Sequence, residues 1–211
     1  MKGKLTMNNV VLIGAGGHSK VIQDIVKAND DLRLQAILDQ NFKQKEIVDG
    51  VIYAGTDMIG ELMNEECKFC IAIGSNEVRK KLIGEFNIPL EKYIALIHPT
   101  AVISPSVVIG RGTVVMPNAV INADTTIGNH CIVNSGAVVE HDNRLSDFVH
   151  MSPNATLAGT VTIGEGTHVG SGATVIPGRE IGEWSVVGAG AVVTSDVGGE
   201  VTVVGVPAKG I

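Results

Sequence analysis

The sequence predicts an α/β N-terminal Rossmann-like domain followed by a parallel β-helix built on a hexapeptide repeat, and three observations carry that reading. An uninterrupted apolar run, Asn9-Val10-Val11-Leu12-Ile13, leads directly into glycines. A six-residue aliphatic period starts near Ile103 and continues to Val193. Glycine contributes 26 of 211 residues against four Phe, two Tyr and one Trp, so the core must be aliphatic and strung between many turns.

Asn9–Ile13 has the continuous apolarity of a strand buried on both faces. From Ser19 to Ala28, Val21, Ile22, Ile25 and Val26 fall on one helical face. Leu34–Leu38 and Phe69–Ile73 repeat the strand signal, Ser75 can cap a helix running to about Phe86, and Tyr93–Ile97 is expected to be a further strand. Alternating strands and helices of this kind make a small doubly wound domain over residues 7–97.

At His98-Pro99 the period changes, and the second domain is expected over residues 98–211. Stepping by six from Ile103 reaches sixteen positions, and every one is aliphatic. The residue two places earlier is Ala, Val, Thr, Cys or Ser in fourteen of them, with Asn143 and Arg179 as exceptions where a local bend is expected. A six-residue period is the signature of a β-helix, with one short strand and one turn per repeat.

Sixteen basic and twenty-two acidic side chains leave a net charge of −6, the wrong sign for wrapping nucleic acid or lying on an anionic membrane. No stretch approaches the roughly 20 apolar residues of a membrane span. Met1-Lys2-Gly3-Lys4-Leu5-Thr6 leads into no signal-peptide core, so the protein is expected in the cytoplasm. Three cysteines make no secreted disulfide framework. Cys67-x-x-Cys70 lacks a second pair to complete a zinc site and reads as strand, so no metal is expected.

Chemistry concentrates in two places. In Gly14-Ala15-Gly16-Gly17-His18-Ser19, glycines after the first strand let backbone N–H groups at a helix N-terminus approach a phosphate. Ser19 stands where G-x-G-x-x-G has its third glycine, which weakens the case for a dinucleotide. Asp39, ending the next strand, can accept hydrogen bonds from a ribose or base. The second place is Glu140-His141-Asp142. Counted in eighteens, His141 shares a column with Pro105, Ala123, Gly159 and Pro177, turn positions where a histidine between two carboxylates is out of pattern. An imidazole titrates near neutrality and can take a proton from an attacking amine or hydroxyl, and a carboxylate beside it makes it more basic. The alternatives are a helix cap for His18 and a solvated polar turn at His141.

Ile13-Gly14-Ala15-Gly16-Gly17-His18-Ser19-Lys20, Ile73-Gly74-Ser75-Asn76, Glu140-His141-Asp142 and Gly205-Val206-Pro207-Ala208-Lys209 occur in that order. With the hexads, they resemble the NeuD/PglD-like sugar acyltransferases, in which a nucleotide-sugar-binding domain precedes a left-handed parallel β-helix. The resemblance implies an acetyl-CoA-dependent N-acetyltransferase that acts on a UDP-linked amino sugar by direct transfer. It implies substrate binding by Gly16, Gly17, His18, Asp39 and Gly74, and makes His141 the general base supported by Asp142, with Glu140 as fallback. It also implies acetyl-CoA binding by His150 with Gly170 and Ser171 in the groove, Lys209 near the nucleotide end of CoA, and a homotrimer with each active site between subunits.

His150 and His168, eighteen apart, should stand on adjacent coils roughly 4.8 Å apart and point outward. Asn134, seven residues before His141, can hydrogen-bond in the same pocket, although a turn asparagine is the commoner explanation. Three other readings stay open. One is an O-acetyltransferase acting on sialic acid or a related sugar hydroxyl. Another is a non-catalytic sugar-nucleotide-binding protein. The third, a zinc carbonic anhydrase on the same fold, fits poorly because His130, His141, His150 and His168 are spaced 11, 9 and 18.

Overall fold

The computed structural model describes residues 7–211, and the Met1–Thr6 segment lies outside the described residues. Strand β1 (Asn8–Ile13) leads into helix α1 (Gly17–Ala28) and strand β2 (Leu32–Leu38). A hairpin of β3 (Glu46–Val48) and β4 (Val51–Ala54), a short helix α2 (Ile59–Leu62), strand β5 (Cys67–Ile71) and helix α3 (Asn76–Phe86) follow. The sheet order is β3-β4-β2-β1-β5, parallel except for the β3–β4 hairpin.

Apolarity on both sides of β1 has a direct cause. Val11 and Ile13 pack with Leu38, Phe69 and the Leu82–Phe86 end of α3, whereas Val10 and Leu12 pack with Ile22, Ile25 and Val26 of α1. Val21, expected on the buried face of α1, is 40% exposed. Ser75 does cap α3, its Oγ accepting from the Val78 N–H at 3.4 Å.

From Leu96 onward the chain winds into a triangular β-helix with three parallel faces. The first face begins with strand β6 (Leu96–Ile97) and continues through Val114–Val115, Ile132–Val133, His150–Met151, His168–Val169 and Val186–Val187. The second runs from Val102–Ile103 to Val192–Val193, and the third from Val108–Ile109 to Glu180–Ile181. The inward aliphatics at six-residue spacing form one core column, with Val115, Ile121, Val133, Val139 and Val169 all fully buried.

The strand expected over Tyr93–Ile97 is shorter. Leu96 donates its N–H to Thr113 O at 2.9 Å, so β6 belongs to the first coil, while Tyr93 makes a single bridge to Phe69. The bends expected at Asn143 and Arg179 are absent. Asn143 is fully buried and substitutes for a missing ladder partner: its Nδ2 donates to Glu140 O at 2.6 Å and Ala158 O at 3.1 Å, and its Oδ1 accepts from Val161 N at 2.8 Å. Arg179 keeps its backbone in register, accepting from Thr162 N at 3.0 Å, while its guanidinium turns outward to Asp196.

The first domain sits on the first face. Leu96 and Val114 point outward from the coil yet are at most 1% exposed, because the α1 side of the sheet covers them. No helix among the described residues is long and apolar enough to cross a membrane.

Candidate functional site

The loops after β1 and β5 meet where the strand order reverses, the crevice in which open α/β sheets take their ligands. Gly14 has φ +114°, and a Cβ there would come within 2.8 Å of Ile73, so its glycine is structural. Gly16, Gly17 and Gly74 differ: a Cβ on any of them would meet nothing within 4 Å, and none has a positive φ. Their lack of side chains leaves open space beside bare backbone N–H groups at the start of α1 and before α3, which suits an anion.

A cavity of about 270 Å³ beside this crevice is lined by Gly14, Asp39, Gln40, Asn41, Thr56 and Lys81, among others. Asp39 borders it with both oxygens engaged: Oδ2 accepts from Ala15 N at 2.9 Å, and Oδ1 from the Asn41 N–H at 3.0 Å and Nδ2 at 2.8 Å. The carboxylate therefore shapes the glycine loop and retains lone pairs toward the cavity. His18 lies in the first turn of α1 and makes no cap. Burial, then the charge of Arg79, lowers its pKa to about 4, and its Nε2 has no partner.

A second cavity, about 420 Å³, opens between the two domains and is lined by Gly74, Asn76, His150, His168 and Trp184, among others. The rings of His150 and His168 stack with centroids 4.8 Å apart. His168 Nε2 is 2.7 Å from Ser152 Oγ, and His150 Nε2 is 3.3 Å from Asn134 Nδ2. Asn134 thus serves both its own turn, with Oδ1 accepting from the Ser135 N–H at 2.9 Å, and His150, and its short side chain does not reach around the corner to His141. Burial, then His168 and Arg79, lowers the His150 pKa to about 3, and burial then Arg79 lowers that of His168. Both are neutral imidazoles near pH 7, able to donate and accept hydrogen bonds.

His141 stands apart, on the turn joining the second face to the third. Its Nδ1 is 2.7 Å from Asp142 Oδ2, and the hydrogen bond to Asp142 is the main cause that raises its pKa. Glu140 is committed elsewhere, accepting from Asn122 Nδ2 at 2.9 Å. The imidazole is exposed, and among the described residues its Nε2 has no hydrogen-bond partner. A carboxylate on Nδ1 and an open Nε2 are the arrangement of a base oriented for a proton.

A single chain does not bring His141 to the Gly74–His150 cavity. In a triangular coil the corner between the second and third faces lies opposite the first face, where the other domain sits. Gly170 and Ser171 occupy the turn between the first and second faces. Gly170 is accounted for by coil packing, since a Cβ would strike Val187 O at 2.6 Å, while Ser171 is exposed. Lys209 is exposed on the last short strand, Lys209–Gly210. Cys67, Cys70 and Cys131 are free and buried, and among the described residues no cluster of His, Cys, Asp or Glu could hold a metal ion.

The sequence reading missed Arg79 and Asn76, which tie the two domains together, and Ser152, which orients His168. Arg79 looks like one more surface charge in Asn76-Glu77-Val78-Arg79-Lys80-Lys81. Only its i,i+3 spacing from Asn76, on a helix facing a coil, offered a signal.

Residues 9–86 match the model of the PglD N-terminal domain, and residues 106–141 and 160–195 match that of the bacterial transferase hexapeptide (six repeats). UDP-N-acetylbacillosamine N-acetyltransferase of Bacillus subtilis (strain 168) is 48% identical over 114 residues, covering 52% of each chain, so the alignment takes in only about half of that relative's length. The H141N mutant of perosamine N-acetyltransferase from Caulobacter crescentus, solved with CoA and GDP-perosamine, is 40% identical over 97% of both chains with a TM-score of 0.88. The acetyltransferase domain of PglB from Neisseria gonorrhoeae, solved with acetyl coenzyme A, is 35% identical over 97% of this chain and 100% of that one, with a TM-score of 0.85.

Proposed function

The chain belongs to the PglD-like family of sugar acyltransferases with hexapeptide-repeat β-helices, and from that premise we propose that it is an acetyl-CoA-dependent N-acetyltransferase of a nucleotide-linked amino sugar, a UDP-sugar in the first instance. The observation that carries the reading is the His141–Asp142 pair, 2.7 Å apart with the Nε2 edge open. The acceptor amine attacks the thioester carbonyl, His141 Nε2 takes the N–H proton, and the proton passes to the departing sulfur as the C–S bond breaks, giving an amide and CoA. Asp142 holds the tautomer that leaves Nε2 unprotonated and stabilises the imidazolium formed in transit.

The remaining assignments rest on placement. Gly16, Gly17, His18, Asp39 and Gly74 receive the nucleotide sugar, and His150 and Ser171 receive acetyl-CoA, with Gly170 setting the turn between them. Because His141 lies across the coil from the Gly74–His150 cavity, a complete site needs a second copy. The second face suits that role: Val102, Val120, Val138 and Val192, with Thr156 and Thr174, make a flat outward surface of small β-branched side chains. Val102 is 63% exposed in the single chain. Three copies packed through such faces form a trimer with His141 at each seam. Free thiols at Cys67, Cys70 and Cys131 fit a cytoplasmic home.

Transfer to an amine is favoured over O-acetylation because two of the relatives named above are N-acetyltransferases. The test is incubation with acetyl-CoA and a panel of UDP- and GDP-linked amino sugars and free sialic acid, following thiol release and product mass. Acetylation of a nucleotide amino sugar is the expected result. Acetylation of sialic acid alone would reassign the acceptor, and nucleotide binding without turnover would make the protein a binding module.

A further inference from the structure

Arg79 is a buried cation without a carboxylate. It is 1% exposed, and none of the ion pairs among the described residues includes it. Its five N–H groups find five acceptors: Nε donates to His130 O at 2.9 Å, Nη1 to Ile73 O at 3.1 Å and Gly74 O at 3.0 Å, and Nη2 to Asn76 Oδ1 at 2.9 Å and Phe148 O at 3.0 Å. Asn76 extends the set, its Nδ2 donating to Gly166 O at 2.9 Å.

These acceptors follow a pattern. His130, Phe148 and Gly166 are one turn position on three successive coils, each with a positive φ of 54°, 61° and 67°. Among the described residues, none of their carbonyls takes part in the hydrogen bonds between coils. A buried carbonyl without a donor costs stability, and here one guanidinium and one amide satisfy three of them. The same guanidinium grips the backbone of Ile73 and Gly74, the loop that borders the cavity shared with His150. A planar group with five donors in a rigid fork sets the distance between two backbones in a way a lysine cannot.

We propose that Arg79, with Asn76 as its brace, is the positioning residue that holds the Gly74 loop of the nucleotide-sugar site in register with the His150 coil of the acetyl-donor site. This rests on the function proposed above. Arg79 touches neither reactant. It acts through the placement of Gly74, and transfer depends on that placement because a misfit of about 1 Å costs on the order of a hundredfold in rate.

The experiment compares wild type with Arg79→Lys, and with Asn76→Ala in case the first variant folds poorly. Dissociation constants for UDP or GDP and for CoA are measured separately from kcat, and crystal structures give the Gly74-to-His150 separation. The expected result for Arg79→Lys is a kcat lower by about ten- to a hundredfold, each dissociation constant within about threefold of wild type, and a shifted Gly74 loop; Asn76→Ala shows the same pattern to a smaller degree. A variant that keeps the wild-type kcat and an unmoved loop would overturn the proposal and leave Arg79 a purely structural residue. If wild type acetylates no nucleotide amino sugar, the proposed function fails instead, and the crystallographic displacement alone decides whether Arg79 sets the register.

Discussion

The imidazole of His141 lies over the Cα of Gly159, one coil further on, so closely that a Cβ at Gly159 would come within 2.7 Å of His141 Cε1. Gly159 has no positive φ, so its glycine makes room for the ring and not for the backbone. Gly159→Ala is therefore expected to push His141 off its seat on Asp142 with little effect on folding. The measurement is acetyl transfer beside thermal melting: a kcat loss of about tenfold or more with an unchanged melting point supports the account.

Asp142→Asn separates orientation from basicity. His141 acts as a base only when neutral, so kcat/KM falls on the acid side as pH drops through its pKa, which Asp142 raises above 6.5. Replacing the carboxylate lowers that pKa, so the acid limb of the pH–rate profile moves to lower pH. The plateau also drops, by about ten- to a hundredfold, because the amide no longer stabilises the imidazolium. Glu140, held by Asn122, does not take over.

Gly17→Ala tests the anion site in the opposite sense. Gly17 is the first residue of α1, with open space where a Cβ would stand. Alanine is expected to leave stability unchanged or raise it by up to about 1 kcal/mol through a stiffer unfolded chain. Nucleotide affinity is expected to weaken about tenfold, as the new methyl group occupies the approach to the helix N-terminus. Calorimetric titration with UDP and GDP reads the effect.

Acid should loosen the fold before it reaches the carboxylates. Burial lowers the pKa of His18 and His130 to about 4 and of His150 to about 3, from 6.5. Below pH 6.5 the unfolded chain binds protons at these groups while the folded chain does not, so stability is complete above that pH and declines as pH falls toward 4. Each such imidazole contributes a slope of up to about 1.4 kcal/mol per pH unit. Denaturant midpoints between pH 7.5 and 5 measure the decline, and a flat profile would contradict the buried, neutral placement of these rings.

The coil was legible because one inward aliphatic every six residues is demanded by its cross-section, and no local exception was large enough to hide it. Asn143 looked like a fault in the pattern and proved to be a backbone mimic, since its amide donates and accepts between two successive coils. His141 and Asp142 were legible because they interrupt a column of turn residues. The β3–β4 hairpin was not, as β3 is the edge strand of the sheet and its Ile47 and Val48 are exposed. Arg79 was invisible because four of its five acceptors are backbone carbonyls, two of them on distant turns, and a carbonyl has no side-chain signature. The separation of His141 from the Gly74–His150 cavity within one chain was implied only by the resemblance, being a property of which corner of the coil each turn occupies.

The most direct test of His141 as the base compares wild type with His141→Ala for acetyl transfer to the accepted nucleotide amino sugar, with CoA and nucleotide binding measured on the same preparations. The account predicts that binding of both persists while kcat falls by about a hundredfold or more. A His141→Ala enzyme that transfers acetyl groups at close to the wild-type rate would contradict it.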